Sequence, residues 1–398
     1  MKVLLVNVVC GTGSTGRICS DLVTCLNEKG HEGCVAYGRG QAPGGVPAYR
    51  IENDAGVRLH ALKARFLDGA GRGSKTATQR FVRWIEQEGF DLIHLHNLHG
   101  YYLHVGVLFD FLKDAGLPVV WTLHDCWPFT GHCTYFEWAQ CEKWRTGCYG
   151  CPQKSSYPAS FLLDRSRQNY AFKKEKFTAR PDMHIVTPSR WLKNLAEQSF
   201  LKELPIEVIP NGIDRAVFRP IGGDLKARWG LDHKRVYLAV ASRWDERKGL
   251  SDLIRLSRLL NDREKLVIVG VDKAQRRALP DSVLSVERTD SIEELAQLYS
   301  MADVLLNPTW EDNYPTVNIE AQACGTRVVT YQTGGSPETL MPGGGRVSEK
   351  KTPASLLEAA RNLPGKENAA CAFPVLSRQQ AAERYVALYE RVCKEAKA

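Results

Sequence analysis

The sequence predicts an α/β protein with two parallel, doubly wound sheets. Short apolar runs typical of strands alternate with helical periods, the alternation occurs twice, and a segment rich in turn residues near Pro210 separates the two series. At 398 residues, the chain also exceeds the size that one hydrophobic core usually supports. We therefore expect two domains whose sheets face a central cleft, because open α/β sheets bind ligands beyond the carboxyl ends of their strands.

The first series opens with residues 3–8, an aliphatic run typical of a strand buried on both faces. A glycine-rich turn at 11–16 follows, and a helical pattern then ends at Gly30. Such a unit either binds a mononucleotide phosphate or uses its glycines only for close packing. NAD binding is not predicted, because the next strand leads into Gly-Arg-Gly instead of an acidic residue. The remaining strands are predicted at 34–37, 92–95, 119–123 and 185–187, with helices at 81–87, 107–113 and 189–198.

The second series repeats this order after the turn-rich segment. Its strands are predicted at 237–241, 266–269, 283–286, 304–306 and 328–331, with helices at 250–260 and 292–299. A final helical segment has one apolar face, which we expect to pack on another element. The predicted domains are residues 1–205, residues 206–375, and a C-terminal helix at 376–398 that packs back on the first domain.

Composition predicts a cytoplasmic protein. Apolar residues make up 43% and charged residues 25%, no apolar run is long enough to cross a membrane, and the N-terminus enters a strand directly. The net charge of +8 favours anionic partners. Basic residues alternate with aliphatic and aromatic ones between positions 58 and 84. This stretch is either a surface for anionic membranes or an ordinary solvated basic face.

An acidic loop that leads into a short helix is the first candidate site. Residues 309–338 follow an apolar strand, and a helical pattern begins after Pro315 and ends at Gly325. A helix start suits an anionic ligand, and the carboxylates of Asp312 and Glu320 suit sugar hydroxyls. Together they would hold a sugar and a ribose on either side of a diphosphate. The alternative is that these acids only favour a helix start and a solvated face.

Several sequence blocks occur together across nearly the whole chain. They are residues 30–32 (GHE), 122–125 (TLHD), 208–214 (VIPNGID), 241–249 (ASRWDERKG) and 312–320 (DNYPTVNIE) followed by AQACGT. As a set they resemble the retaining glycosyltransferases of family 4, which have the two-domain GT-B fold. Within that family, residues 124–133 (HDCWPFTGHC) look like the enzymes that build bacterial exopolysaccharides such as colanic acid or capsule.

The resemblance implies which charged residues bind a nucleotide sugar. Arg243 and Lys248 would hold the donor diphosphate and neutralise the leaving group, which two such cations can do without a metal. Glu320 would bind the ribose hydroxyls. Asp312 stands where the family usually has glutamate, and because Glu311 precedes it, the carboxylate that contacts the sugar is left open.

The resemblance also implies uncharged contacts. Asn313 and Tyr314 would face the donor hexose through their backbone, and Gly13 and Gly16 map to the loop that approaches the donor phosphate. His124 ends a predicted strand where the family has a catalytic-site histidine, although a structural histidine is the alternative. No covalent nucleophile is evident. Retention would then follow from same-face attack, with the departing phosphate oxygen taking the acceptor proton.

Two clusters raise the question of a metal. Four histidines lack a carboxylate or cysteine at ligand spacing and are interpreted as cleft lining: His94, His96, His99 and His104. The second cluster has the spacing C-x7-C-x6-C-x2-C and consists of Cys133, Cys141, Cys148 and Cys151. Structural zinc, free thiols and disulfides are all open interpretations of these cysteines.

The sequence and its resemblance together predict a hexosyltransferase that acts on a lipid-linked oligosaccharide in exopolysaccharide or capsule biosynthesis. The first domain would bind the acceptor and the second a nucleoside-diphosphate sugar, and no cofactor is needed for catalysis. Further expectations are contact with an anionic membrane at the inner face of the plasma membrane and no nucleic-acid partner. The alternatives are a nucleotide-sugar epimerase of the same fold and a non-catalytic, zinc-bearing protein that binds anionic polymers.

Overall fold

The computed structural model describes residues 1–364 and 372–396, which form two compact α/β units. The first unit comprises Met1–Pro210 together with Gln379–Ala398, and the second comprises Asn211–Arg378. Each unit is built on a parallel sheet, so the predicted α/β class is confirmed. Residues 365–371 of the predicted second domain, and residues 397 and 398 of the predicted C-terminal helix, lie outside the described residues.

The sheet of the first unit has seven strands. They are β1 (Lys2–Val9), β2 (Glu32–Arg39), β3 (Ala48–Arg50), β4 (Leu92–Leu95), β5 (Val119–Thr122), β6 (His184–Thr187) and β7 (Ile206–Val208). Their spatial order is β3-β2-β1-β4-β5-β6-β7, and β1 pairs in parallel with both β2 and β4. The strand order therefore reverses between β1 and β4, which is the switch point where α/β sheets open a crevice for ligands.

Helices cover both faces of this sheet. They are α1 (Gly13–Glu28), α2 (Asp54–Leu67), α3 (Lys75–Glu88), α4 (Val105–Asp114), α5 (Ser166–Phe177) and α6 (Arg190–Ala196). Because successive strand residues point to opposite faces, Leu4 and Val6 belong to one core and Val3 and Leu5 to another. Burial on both faces explains why residues 3–6 of β1 form an uninterrupted aliphatic run.

Outside residues 365–371, the second unit repeats this architecture with six strands and six helices. The strands are β8 (Arg235–Val240), β9 (Glu264–Val269), β10 (Leu284–Val286), β11 (Val304–Asn307), β12 (Arg327–Thr330) and β13 (Gly345–Val347). The helices are α7 (Leu225–Arg228), α8 (Leu250–Ser257), α9 (Lys273–Ala278), α10 (Ile292–Met301), α11 (Thr316–Ala323) and α12 (Pro353–Arg361). The strand order is β10-β9-β8-β11-β12-β13, which places the switch point between β8 and β11.

The last helix, α13 (Arg378–Glu395), packs on the first sheet although it follows the second unit in sequence. Polar contacts hold it there as well as apolar ones. The Tyr389 hydroxyl lies 2.6 Å from Nδ1 of His94, and the Thr122 hydroxyl donates to the Tyr385 hydroxyl at 3.1 Å. All four side chains are buried. The helix is thus an integral part of the first unit.

A long irregular segment separates β5 from α5. Residues 130–165, all of them described, contain no α-helix or strand and only one 3-10 turn, Lys143–Arg145. Its apolar anchors include Phe136 and Trp144, whose rings stack with centroids 4.8 Å apart. The cysteine cluster lies in this segment. Irregular segments of this length are uncommon in compact domains and are usually tied to function.

Candidate functional site

Two loops meet at the switch point of the second sheet, where β8 and β11 lie side by side. The loop after β8 contains a 3-10 turn, Glu246–Lys248, and the loop after β11 leads into α11. The amide of Trp310 donates to the Arg247 carbonyl at 2.8 Å, and the Arg247 guanidinium donates to the Glu311 carbonyl at 2.8 Å. The two sequence blocks that carry the predicted donor residues are therefore bonded to each other.

Glycines allow these loops to approach closely. Gly249 has a φ of +81°, and a Cβ at this position would lie 2.3 Å from the Pro308 carbonyl oxygen. Gly334 has a φ of +53°, and its Cβ would lie 1.9 Å from the Asp312 carbonyl oxygen. That oxygen also accepts a hydrogen bond from the Gly335 amide at 3.1 Å. The backbone of Asp312 is consequently fixed from two sides, and larger residues are excluded at both glycines.

Lys248 and Asp312 form an ion pair at this switch point, with 2.5 Å between Nζ and Oδ2. Their side chains remain 25% and 14% exposed, so both are accessible to a ligand. The Asp245 side chain accepts a hydrogen bond from the Lys248 amide at 2.9 Å and caps the turn. Glu311 is only 3% exposed, so of the two adjacent carboxylates Asp312 is the one presented beside the lysine.

Arg243 lies on the loop after β8, exposed to solvent, and forms no ion pair with any described residue. The next residue, Trp244, is buried, and its indole donates to the Val269 carbonyl at 2.9 Å. The Gln275 amide donates in turn to the Trp244 carbonyl at 2.9 Å. The hydrogen bonds of Trp244 therefore position the neighbouring Arg243, and none of them involves the Arg243 guanidinium. Sequence reasoning did not identify Trp244 as the anchor.

Glu320 lies on α11 and is largely buried. Its Oε2 accepts a hydrogen bond from the Tyr299 hydroxyl of α10 at 2.8 Å. Burial raises the pKa of Tyr299 well above its usual value, and the neighbouring Glu320 charge raises it further. Tyr299 therefore remains protonated and orients the carboxylate. The sequence predicted Glu320 as a site residue but gave no sign that Tyr299 supports it.

A buried polar network holds the start of α11. Asn313 and Tyr314 are both buried in the loop before this helix. Asn318, in the first turns of α11, accepts a hydrogen bond from the Asn307 amide at 2.8 Å and donates to the Ser336 and Thr339 hydroxyls. Because Asn307 ends β11 and both hydroxyls belong to the 3-10 turn Ser336–Thr339, the network fixes the helix start relative to the end of β11 and to this turn. None of these contacts was predicted from the sequence.

In the first unit, His124 follows β5 and its Nε2 lies 3.0 Å from Nδ1 of His96, which follows β4. Burial lowers the pKa of His124 to about 4, and burial lowers the pKa of His96 well below its usual value. Both imidazoles are therefore neutral at neutral pH. Neutral rings can donate and accept hydrogen bonds with hydroxyls but contribute no charge.

His94 and His99, from the same predicted cluster as His96, have different roles. His94 is fully buried, and both ring nitrogens bond to hydroxyls, those of Tyr389 and Thr122, so its interpretation as cleft lining is wrong. His99 donates to the Asp125 carboxylate at 2.7 Å. Burial alone would raise the pKa of Asp125, but the interactions with His99 and with a backbone amide outweigh it and lower that pKa. Asp125 is accordingly ionised beside His124.

The glycine-rich turn after β1 contains two different kinds of glycine. Gly13 opens α1 with a φ of +63°, and a Cβ there would meet no atom of the described residues within 4 Å. Gly16 lies in the first turn of the helix, and its Cβ would be 3.0 Å from a Val9 methyl group and 3.2 Å from the Gly11 nitrogen. Gly13 thus is exposed with open space beside it, whereas Gly16 permits close packing of the turn.

The predicted cysteine cluster is brought together in space. Its four thiols line one small void of about 10 Å³: Cys133, Cys141, Cys148 and Cys151. The cysteines that the structure describes are free thiols. Cys133 hydrogen-bonds to Cys151, which lowers the pKa of the Cys151 thiol, and the Gly131 amide donates to Cys148 Sγ at 3.1 Å. Within residues 1–364 and 372–396, no three His, Cys, Asp or Glu side chains are already arranged as ligands of one ion.

The basic stretch between residues 58 and 84 is only partly a surface. Phe81 of α3 is fully buried, and Trp84 stacks on Tyr49 with ring centroids 4.2 Å apart, so these aromatic residues belong to the core. Helix α2 instead exposes apolar side chains. The segment that follows the cysteines contacts the end of this helix, where the Phe161 amide donates to the Arg65 carbonyl at 2.6 Å. We call the exposed set the α2 apolar patch: Leu59, Leu62, Phe66, Phe161, Leu162 and Leu163.

Two doubly wound α/β units, with a cation beside a carboxylate at the switch point of the second sheet, are what a glycosyltransferase of the GT-B class would have. Comparison with known families agrees with this class. The chain belongs to Glycosyltransferase Family 4, whose family model matches residues 15–217, and the model "Glycosyl transferases group 1" matches residues 234–364. The predicted family is confirmed, and membership favours a transferase over the epimerase and the non-catalytic binding protein.

Individual proteins show the same relationship. The chain is 26% identical over 377 residues to the "Putative colanic acid biosynthesis glycosyl transferase WcaC" of Escherichia coli K12, covering 91% of this chain and 90% of that protein. Sucrose-phosphate synthase from Thermosynechococcus elongatus superimposes with a TM-score of 0.66 at 18% identity, over 99% and 97% of the two chains. Anabaena HepE in complex with UDP-glucose gives 0.61 at 14% identity, over 100% and 98%. The two structural likenesses confirm the predicted GT-B fold.

Proposed function

We propose that this glycosyltransferase moves a hexosyl group, with retention, from a nucleoside-diphosphate sugar to a lipid-linked oligosaccharide in exopolysaccharide biosynthesis. The observation that carries the proposal is the Lys248–Asp312 ion pair at the switch point of the second sheet. A diphosphate needs a cation there, and sugar hydroxyls need an acceptor. The WcaC likeness supports the polysaccharide pathway, and the HepE complex with UDP-glucose supports the class of donor.

Donor binding would exchange the partners of the ion pair. The diphosphate competes with Asp312 for the Lys248 ammonium, and Arg243, which has no ion-pair partner within the described residues, adds a second cation. Asp312 then becomes available to accept a hydrogen bond from a donor hydroxyl. Both cations act where negative charge develops as the bond between the anomeric carbon and the phosphate oxygen breaks.

Retention would follow from attack on the face that the phosphate leaves. The acceptor oxygen bonds to the anomeric carbon while the phosphate oxygen departs, and the proton of the acceptor hydroxyl moves to that phosphate oxygen. This step requires no covalent nucleophile. The protein contributes position and charge: Glu320 would hold the ribose with Tyr299 behind it, and the backbone of Asn313 and Tyr314 would contact the hexose.

The first unit would bind the acceptor. His124 is neutral and paired with His96 at the carboxyl edge of the first sheet, which suits hydrogen bonding to sugar hydroxyls. We assign Gly13 to an approach to the donor phosphate because the space beside it is open. The proposed role of Gly16 is indirect: it lets the turn pack tightly.

A lipid-linked acceptor lies at a membrane, and the α2 apolar patch suits that location. Its apolar side chains are flanked on α2 by the exposed cations Arg58, Lys63 and Arg65. Apolar insertion combined with attraction to anionic headgroups is the usual basis of interfacial binding. Over the described residues, no helix is both long and apolar enough to span a bilayer. We therefore propose peripheral contact with an anionic membrane at the inner face of the plasma membrane.

The proposal is tested by nucleoside diphosphate release from the purified full chain. A panel of nucleoside-diphosphate sugars is screened with bacterial lipid extract as acceptor, and release that requires both a donor and the extract is expected. The anomeric configuration of the product is then read by NMR. Release from no donor in the panel, or an inverted product, would contradict the proposal.

A further inference from the structure

We propose that Cys133, Cys141, Cys148 and Cys151 bind a structural Zn²⁺ ion that fixes the irregular segment of residues 130–165. This inference concerns a site outside the proposed transfer chemistry and does not depend on it. Four thiols that are spread over this segment in sequence line the same small void. Tetrahedral coordination by four cysteine thiolates is a common form of structural zinc site.

The segment needs a stabilising element that its secondary structure does not supply. Apart from the turn at Lys143–Arg145, its backbone makes no regular hydrogen-bonded structure, and its buried aromatic residues are few. Small irregular regions with little core are commonly held by disulfides or metal ions. Because the described cysteines are free thiols, a metal ion is the alternative that the residues present can provide.

The local backbone suits a zinc knuckle. Cys148 and Cys151 are separated by two residues, and the intervening Gly150 has a φ of +50°, which permits the tight turn that brings both sulfurs to one side. The Gly131 amide donates to Cys148 Sγ at 3.1 Å. Amide donors of this kind stabilise a thiolate without neutralising it. Cys133 joins the pair through its hydrogen bond to Cys151.

Beside the cluster, the buried Lys173 ammonium has no carboxylate counterion among the described residues, and Nε2 of His132 has no described hydrogen-bond partner. Lys173 is 3% exposed, donates to the carbonyls of Trp127 and Thr130 at 2.7 and 3.0 Å, and lies 3.5 Å from the centroid of the Trp127 ring, but no carboxylate of the described residues forms an ion pair with it. Nδ1 of His132 bonds to Asp68 at 2.6 Å, and Nε2 is buried without a described partner while the ring lines the void. Zinc with four thiolates carries net negative charge, which offsets a buried ammonium and accepts an N–H.

The thiols are near one another but not yet in ligand positions. Since no three candidate ligands within residues 1–364 and 372–396 are arranged around one point, metal binding includes rotation of the cysteine side chains toward the void. The void is about the size of one water molecule, so an ion can enter once the sulfurs turn inward. The expected Zn–S distances are about 2.3 Å.

Metal content of the full chain is the first test. Protein expressed with zinc in the medium and purified without chelator should contain about one zinc per chain by plasma mass spectrometry. Titration with a mercurial thiol reagent should release that zinc to a chromogenic chelator. Less than about a tenth of an equivalent, in protein that is folded by circular dichroism, would overturn the proposal.

Single Cys→Ser variants identify the ligands. Replacing any one of the four should lower the zinc content to less than about half of the wild-type value, whereas Cys393→Ser, on helix α13, should leave it unchanged. Full zinc in Cys141→Ser would overturn the four-cysteine ligand set. If a variant fails to fold, alkylation of the wild-type protein identifies the ligands instead. The four thiols should resist alkylation until a chelator is added.

The redox alternative has a distinct result. Mass spectrometry of protein that was alkylated without reduction would show a Cys133–Cys151 disulfide if these thiols form a redox pair. That disulfide in metal-free protein purified under reducing conditions would overturn the zinc proposal. None of these experiments measures transferase activity, so failure of the zinc proposal and failure of the proposed function are distinguishable.

Discussion

The Lys248 ammonium and the Asp312 carboxylate follow different strands of the second sheet, yet they lie 2.5 Å apart and serve as each other's counterion. If donor phosphate replaces Asp312 on the lysine, Lys248→Ala should lower kcat/KM by about 10²- to 10³-fold, because the cation acts on the leaving group. Steady-state nucleoside diphosphate release measures this. The matched control is Lys234→Ala, which removes a lysine before β8, at the opposite edge of the sheet. Near-normal turnover by Lys248→Ala would exclude Lys248 as a ligand of the donor phosphate.

The neighbouring carboxylates Asp312 and Glu311 can be separated by amide substitution. Asp312→Asn should lower kcat/KM by about 10- to 100-fold, since a charged hydrogen-bond acceptor for the donor sugar is lost. Glu311 is buried, so Glu311→Gln should lower the urea midpoint of unfolding. Its kcat/KM should fall less than that of Asp312→Asn. The opposite ranking of the two variants in the kinetic assay would assign the sugar contact to Glu311.

The hydrogen bond from Tyr299 to Glu320 should act on donor binding. Tyr299→Phe removes the donor that orients the carboxylate, and we expect donor KM to rise by about 3- to 10-fold with little change in kcat. Tyr237→Phe is a close control, because the Tyr237 hydroxyl donates to Glu264 at 2.9 Å in the same unit but away from the site. An equal rise in KM for both variants would show that Tyr299 acts only through stability.

Burial of His124 makes the stability of the protein depend on pH. The pKa of His124 falls from 6.5 to about 4 in the folded chain, so below pH 6.5 the unfolded chain binds a proton that the folded chain does not. The free energy of unfolding should therefore fall as pH decreases from 6.5 toward 4. Urea unfolding at several pH values measures this fall, which should be smaller in His124→Gln and unchanged in His233→Gln, at an exposed position. If the free energy of unfolding fell more steeply with decreasing pH in His124→Gln than in the wild type, the lowered pKa of His124 would be contradicted.

The α2 apolar patch should bind anionic vesicles. We expect the full chain to sediment with vesicles containing phosphatidylglycerol but not with pure phosphatidylcholine, and less strongly at high salt because the cations on α2 are screened. Leu62→Asp should lower the bound fraction by about fivefold or more. Leu259→Asp, which changes a leucine that is 47% exposed in the second unit, is the control. Equal loss in both variants, or no loss in either, would refute a specific patch.

The sequence predicted the elements that have a strong local pattern. The central strands were predicted because burial on both faces produces continuous apolar runs. The charged blocks after β8 and β11 were predicted because their functional residues are clustered in sequence. Three strands were missed, β3, β7 and β13, and each is only three residues long at the side of its sheet. Helix α5 was missed because its sequence, SRQNYAFKKEKF, has almost no apolar periodicity.

Supporting contacts were beyond the reach of sequence patterns. The partners His94 and Tyr389 are 295 residues apart, and Tyr299 and Glu320 come from different helices, so no local spacing signals either pair. Residue type was also misleading for His94, because a histidine with both ring nitrogens bonded in the core looks the same in sequence as one that lines a site. Geometry alone distinguishes them.

The return of α13 to the first sheet has a practical consequence for exchanging the second unit between relatives. Residues 1–210 alone would leave the Thr122 and His94 side chains without their tyrosine partners and an apolar face uncovered. A chimera is therefore better built by inserting a foreign cassette in place of Asn211–Arg378 than by joining two halves end to end. The protein that receives the cassette then keeps both of its own chain ends. The foreign cassette must be joined to it at two junctions instead of one.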